Sequence, residues 1–366
     1  MSFGVFHDGN IEVIGSGTGD ETAALAFDLV WDRKTPRSAF ALSYRPSFVF
    51  YRRSSDLDYF GNQLAVNFTR ESSLRSRFAV DAYLARTDYQ GQTANTADRA
   101  TTFVPRSTQT QASVKVGGTV GVGRRGLVDW QVRGAADFLE DVPDDPATVE
   151  VDSFDFNDGT ALGGRVAWRG ELSARNTLGL GLDAAHFGYE STPSVDVASF
   201  GLVGICQAGA SWTIDYAAGF SGAKSEGEAI DGFSFDATVA YAAGRSSTFS
   251  AGARQVFAPG TGLGGATQDR GVWISYAHNP VARGLSGTVL GGYWQRNALE
   301  FVAASTTGDS ETFAVNGSIG WVFNRYIALN AAYAFRDQSA INGGDPALDT
   351  SYSSYGLYLR WAIRGR

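Results

Sequence analysis

The sequence predicts an all-β protein: one closed antiparallel transmembrane β-barrel over residues 1–366, with about 18 strands and 16 as the smaller alternative. Three observations predict it. Apolar residues recur at every second position in segment after segment, which is the period of a strand with one greasy face. Glycine is abundant at 45 and aromatics reach 13%, whereas methionine and cysteine occur once each, a composition suited to strands and tight turns rather than to helix packing. Connections between the alternating segments are by turns short and long, as in barrels with tight turns at one rim and loops at the other.

The elements follow in chain order. The opening segment SFGVFHDGNIEV, with Phe3, Val5, Ile11 and Val13 apolar, can supply a first strand. Leu25, Phe27, Leu29 and Trp31 make the first clear series, and after the turn DRKTPR come Phe40, Leu42, Tyr44, Phe48 and Phe50. Phe60, Leu64, Val66 and Phe68 are next, then Phe78, Val80, Ala82 and Leu84. Val114, Val116, Val120 and Val122 precede Val128, Trp130, Val132, Ala136 and Phe138. Leu162, Val166 and Trp168 precede Leu178, Leu180, Leu182 and Ala184.

The second half repeats the theme. Phe200 and Leu202 lead to Trp212, Ile214, Tyr216 and Phe220, then to Phe233, Phe235, Val239 and Tyr241. Phe249, Ala251, Ala253 and Phe257 follow, then Val272, Ile274 and Tyr276, then Leu285, Val289 and Tyr293. Phe313, Val315, Ile319, Trp321 and Phe323 precede Ile327, Leu329, Tyr333 and Phe335. Tyr355, Leu357, Leu359, Trp361 and Ile363 close the set. Each such run reads as a strand of about ten residues or more.

Short connections (ESSLRS, GRRG, LSARNT, AGRSS, NPVARG and FNR) sit between longer polar ones. The long ones are YQGQTANTADRATTFVPRS, EDVPDDPATVEVDSFDFNDG, SGAKSEGEAIDG, APGTGLGGATQDRG and SAINGGDPALDTS. With the short turns on the periplasmic side, the first clear strand and the last both run inward. An even count then requires the opening segment as a further strand.

A soluble sandwich would also alternate, but its second face would meet bulk water and carry many Lys and Glu. Here that face carries Gly, Ala, Ser, Thr, Asn and Gln with single Asp and Arg, as an enclosed wet lumen would. Trp31, Tyr44, Phe50, Phe60, Phe138, Trp168, Trp321, Phe323, Phe335 and Trp361 collect near strand ends, the level at which amphipathic rings meet lipid headgroups. No run of 18 apolar residues marks a transmembrane helix. A net charge of −8 and a pI near 5 argue against a nucleic-acid partner. No secretory leader is visible after Met1, so export would require one already removed from this numbering.

The stretch FALSYRPSFVFYRRSSDLDYFGNQLAVNFTRESSLRSRFAVDAYLARTDY carries a Tyr-x-Pro strand, a tyrosine-rich end, an Asp-Leu-Asp connection and the turn SLRSR, and the chain opens near DGN. Over about residues 5–90 this resembles the β-barrel porins of Gram-negative bacteria often encoded beside exopolysaccharide or capsule export machinery. The resemblance implies a bacterial outer-membrane barrel, with lipid, lipopolysaccharide and the barrel-assembly machinery as partners and polysaccharide as a further one. It brings no catalytic residue and no cofactor. The chain departs from the common pattern by running past Trp361 and Ile363 to Arg364, Gly365 and Arg366 instead of stopping on an aromatic residue.

Enzymatic chemistry has few footholds. His7, His186 and His278 are far apart in sequence, without metal-ligand spacing or a serine motif. His278, in phase with Ile274 and Tyr276, is the residue a lipid-facing Ser/His hydrolase would use. GVGRRG matches a dinucleotide fingerprint literally, but LVDWQVRG after it alternates like a strand, so the glycines read as a hairpin turn. Cys206 is alone and forms no disulfide within the chain. EDVPDDPATVEVDSFDFND lacks the spacing of an EF-hand loop and reads as a solvated outer loop. No catalytic, cofactor or metal residue is expected.

Function should therefore reside in the lumen. Parity places Arg45, Asp81, Asp129, Arg133, Asp137, Arg165, Arg169, Asp183, Asp236, Arg254, Arg336 and Arg360 on the inward face, with Asp28 and Arg296. Fixed charges at a polar constriction set solute selectivity, and Arg133, Arg165 and Arg169 on neighbouring strands would favour anions. Facing aspartates would instead neutralise them and brace the wall. The functional expectation is a porin-like channel for small polar or saccharide solutes, or, alternatively, a non-conducting barrel with a filled lumen and loops for adhesion or surface assembly.

Overall fold

The computed structural model describes residues 2–8, 20–53, 58–89, 107–139, 158–190, 192–226, 228–259, 266–279, 284–299, 309–324, 327–341 and 350–361. Strands fill most of them, and no helix occurs among them. The first are β1 (Ser2–Asp8), β2 (Asp20–Ala26), β3 (Leu29–Lys34), β4 (Ser38–Tyr51), β5 (Tyr59–Ser73) and β6 (Ser76–Tyr89). Next come β7 (Ser107–Val122), β8 (Gly126–Leu139), β9 (Gly159–Ser173), β10 (Asn176–Tyr189), β11 (Val195–Ala208) and β12 (Trp212–Ser225). The last are β13 (Glu228–Ala243), β14 (Ser247–Pro259), β15 (Ala266–His278), β16 (Gly284–Ala298), β17 (Ser310–Val322), β18 (Ile327–Ala340) and β19 (Thr350–Trp361).

Segments β2 and β3 both pair with β4 in one continuous register, Ala26 opposite Ser47 and Leu29 opposite Tyr44. Between them lies Pro46, which has no N–H to give to the ladder; its carbonyl still accepts from Phe27 N at 3.0 Å. The two segments are thus one strand interrupted by a proline opposite, and the count among the described residues is 18 strands. Every pairing is antiparallel, and β1 pairs with both β2 and β19, so the ring of pairings closes. Closure leaves no raw sheet edge, the condition for β-structure in hydrocarbon.

Register turns the alternation into horizontal rows. Leu182, Phe200, Phe220 and Phe233 lie side by side across β10–β13, each more than half exposed. The next row along the same strands is Asp183, Ser199, Ser221 and Gly232. Left in water, each large apolar side chain of the first row would forfeit roughly 1.5–3 kcal/mol of burial, which a hydrocarbon surround returns. Ring contacts run round the short-turn rim: Trp31 with Phe40, Phe68 with Phe78, Phe78 with Trp130, Trp212 with Tyr241, and Phe249 with Tyr276. At the other rim Phe48 meets Phe60 and Phe313 meets Phe335. Two aromatic girdles therefore bound the greasy band.

The turns bear out the hairpin reading of GVGRRG: β7 ends at Val122 and β8 starts at Gly126, with Gly123 at φ 63°. One connection departs from expectation. SGAKSEGEAIDG reads as a long loop, yet β12 continues to Ser225 and β13 begins at Glu228, paired to each other. Its outward positions, Gly222 and Lys224 opposite Asp231 and Ala229, are small or charged and give no lipid-facing signal, while Ala223 and Ile230 turn to the other face. The expected long loops at 90–106, 140–157, 260–265 and 342–349, together with Ile11, Val13, Ile363 and the terminal Arg-Gly-Arg, lie outside the described residues.

Candidate functional site in the barrel lumen

The concave face identifies itself by contacts that skip a strand. Arg133 on β8 donates from Nη2 to Asp183 Oδ1 on β10 at 2.8 Å, passing over β9. Gly163, the register partner of both Arg133 and Ala185, makes room: a Cβ there would stand 3.1 Å from Arg133 Nε. Side chains two strands apart converge only on the inside of a curved wall, so the row of Asp183 faces the lumen and the row of Leu182 faces lipid.

Most charges on this wall are answered locally. Arg169 Nε donates to Asp129 Oδ2 at 2.7 Å, and Thr119 Oγ1 donates to the other oxygen of Asp129 at 2.7 Å. Gln109 Nε2 donates to Asp137 Oδ1 at 3.2 Å, and Arg45 lies 3.5 Å from Asp28. Asp236 stands in register opposite Arg254, and Asp81 opposite Lys115. Arg336 lies in register between Ala314 and Tyr352, and Arg360 is an exposed residue near the end of β19. Arg165 differs from its neighbours: among the described residues its guanidinium makes no hydrogen bond or ion pair, although Asp183 is its register partner. The structure brings Asp129, Arg133, Arg165, Arg169 and Asp183 together on β8–β10, while Arg45, Arg336 and Arg360 stand elsewhere on the ring.

Sequence parity does not anticipate the outer mouth. Pairing of β13 with β14 stops at Phe235 opposite Gln255, although both strands run on toward the long-loop rim. Beyond that point β14 parts from β13 and leans inward, while it stays paired with β15 as far as Pro259 opposite Ala266. Phe257 packs in a buried cluster with Val195, Ala223, Ala266 and Leu299, against Tyr189, Val197 and Ile230. Val197, Ala223 and Ile230 lie in the same register row as Arg133, on the lumen side. Its alternation with Phe249 and Ala253 assigns Phe257 to lipid; the parting of β14 from β13 reverses that assignment.

Beneath this cover, Asp269 and Arg296 pair across β15 and β16 at 3.1 Å, with Thr267 Oγ1 donating to Asp269 Oδ1 at 3.0 Å. Asp269 and Thr267 are fully buried. Trp273 and Trp294, out of phase with the lipid-facing Val272 and Ile274, lie against the inner wall where Gly252, Gly271 and Gly292 leave space. Their phase is the signal that would have found them. Between the wall of β9–β13 and the inward-leaning end of β14 lies a cavity of about 290 Å³, lined by Arg133, Arg165, Asp183, Ser221 and Phe257 among others.

The outer surface carries two histidine pairs. His278 Nδ1 lies 2.8 Å from Ser247 Oγ at the short-turn rim, and His186 Nδ1 lies 2.8 Å from Asp196 Oδ1 toward the other rim. The first joins the residue expected of a hydrolase to a serine, but no carboxylate contacts its ring among the described residues. A Ser/His nucleophile needs a group to orient the imidazole and donors for an oxyanion.

No family model and no curated protein sequence matches the chain. Among solved structures, it is similar to the FrpB iron transporter from Neisseria meningitidis at 10% identity, covering 95% of this chain and 64% of that one, with a TM-score of 0.52. It is similar to the copper transporter OprC at 10% identity, covering 100% and 67%, with a TM-score of 0.50. The outer membrane protein OpdK from Pseudomonas aeruginosa matches at 15% identity over 98% of this chain and 97% of that one, with a TM-score of 0.46. At these identities the likeness speaks to the fold. The chain has the fold of an outer-membrane β-barrel.

Proposed function

We propose that the protein is an outer-membrane channel for small polar solutes, with a lumen narrowed at its outer mouth. The observation that carries this reading is the polar inner wall of a closed barrel, on which the Arg165 guanidinium makes no hydrogen bond or ion pair among the described residues. Neutralised pairs on both sides of it keep the wall wet without a strong net field, and an enclosed polar lumen strengthens what charge remains.

A second reading has its own support. The apolar cluster around Phe257 and the buried Arg296–Asp269 pair fill part of the outer mouth, as a non-conducting barrel would require. Passage of an exopolysaccharide rests on the resemblance over residues 5–90 alone, and a mouth narrowed by packed side chains suits small solutes better than a polymer. Recording single channels in planar bilayers decides between the first two. A channel gives steady unitary currents; a filled barrel gives none.

A further inference from the structure

We propose that the inner wall of β9–β12 holds a binding site for small organic carboxylates bearing an apolar group, anchored by Arg165. The proposal deepens the channel reading, since it names the solute class that the lumen would select. It starts from a competition for Asp183. That carboxylate stands in register opposite Arg165, yet it is engaged by Arg133, which reaches it across the gap left by Gly163. Asp236, the other acid lining the cavity, faces Arg254 in register. Of the two arginines that line the cavity, Arg165 is thus the one without a partner, and its planar group can grip a carboxylate through two parallel N–H bonds.

A second observation points into the same space. Ser221 Oγ is buried, its residue 6% exposed, and makes no hydrogen bond in the described structure. Ser221 lines the cavity in the same register row as Asp183 and Ser199. A buried hydroxyl without a partner costs about 1–3 kcal/mol unless a ligand or water satisfies it. Phe187, Val197, Val203 and Phe257 supply apolar surface around these polar groups. One guanidinium, one hydroxyl and an apolar surround fit a monocarboxylate with a hydrocarbon body. A phosphate ester would call for more cations, and a sugar for a dense set of hydrogen-bonding side chains. The cavity volume of about 290 Å³ admits only a small molecule.

Benzoate is a suitable probe. Equilibrium dialysis of radiolabelled benzoate against the full-length barrel refolded in detergent should give saturable binding, which Arg165→Gln weakens by about tenfold or more. Arg165→Lys should retain part of the affinity, Ser221→Ala should weaken it by roughly threefold, and Lys224→Gln, outside the cavity lining, should leave it unchanged. Benzamide should compete at least about tenfold less well than unlabelled benzoate. The altered migration of folded barrels on unheated gels confirms that each variant has folded. Absence of saturable binding, binding indifferent to Arg165→Gln, or equal competition by benzamide or chloride overturns the proposal. Dialysis needs no current: binding without conductance would retire the channel and keep the site, whereas conductance without binding would do the reverse.

Discussion

Arg133 and Asp183 meet at 2.8 Å across the full width of β9, a strand that contributes only the gap at Gly163 to their contact. The pair leaves the wall locally neutral, so removing either partner should unmask the other. Arg133→Gln should shift the reversal potential under a KCl gradient toward cation preference, and Asp183→Asn toward anion preference, each by roughly twofold in permeability ratio. Shifts of the same sign in both variants would remove this pair from the conducting path. Gly163→Val should mimic Arg133→Gln, because the new side chain displaces the guanidinium.

Truncating Phe257 tests the cover at the outer mouth. Phe257→Ala removes the ring that joins β14 to Val195 and Ala223 and costs roughly 3 kcal/mol of local packing. Unitary conductance should rise by about twofold or more, with added flicker, while thermal stability of the barrel changes little. Unchanged conductance would mean that the cluster lies off the solute route.

Depth-dependent cost distinguishes the two faces. Ile274→Arg, on the greasy row of β15, should destabilise the barrel by about 2–4 kcal/mol in equilibrium unfolding from lipid vesicles. Ala332→Arg, on the lumen side of β18, should cost less than about 1 kcal/mol. Equal costs would contradict the assignment of faces.

The hydrogen-bonded Ser247 and His278 on the outer face should brace the wall rather than cleave lipid. His278→Ala should leave phospholipid hydrolysis by the refolded protein at the background of buffer, and lower stability by about 1 kcal/mol. Hydrolysis above background that disappears in this variant would establish an enzyme.

Close approach of strands makes a last prediction. A Cβ on Gly179 would overlap the carbonyl oxygen of Trp168, a backbone atom that cannot swing away. Gly179→Val should abolish heat-resistant migration of the folded barrel on gels, whereas a substitution at Gly134, where the nearest atom is 3.8 Å away, should not.

Alternation made the strands and their lipid face legible because a membrane barrel repeats one local rule at every position: Leu182, Phe200, Phe220 and Phe233 obey it one after another. The same rule assigned each acidic and basic residue on β8–β10 to a face. It could not say which would pair, because the meeting of Arg133 and Asp183 depends on curvature and on a glycine in an intervening strand. Parity failed for Phe257, where β14 separates from β13 and the phase of a strand no longer reports on its surroundings. It also misread SGAKSEGEAIDG, since the outward side of that hairpin, with Lys224 and Asp231, lacks the greasy residues that mark a strand in lipid. Asp269 and Thr267 were invisible for a related reason: their burial goes with a pairing to Arg296 on the next strand, which no local pattern announces.

Among the described residues the ring is sealed by seven pairs: β1 meets β19 from Ser2 opposite Arg360 to Asp8 opposite Ser354. The junction between β9 and β10, by contrast, engages all fourteen residues of β10. Unzipping the shorter seam would strip fewer amide bridges than opening any full-length one, yet it would present two bare margins to oil that offers them no substitute. Over the described residues that seam has half as many rungs to lose as the junction of β9 with β10 if the cylinder parts sideways.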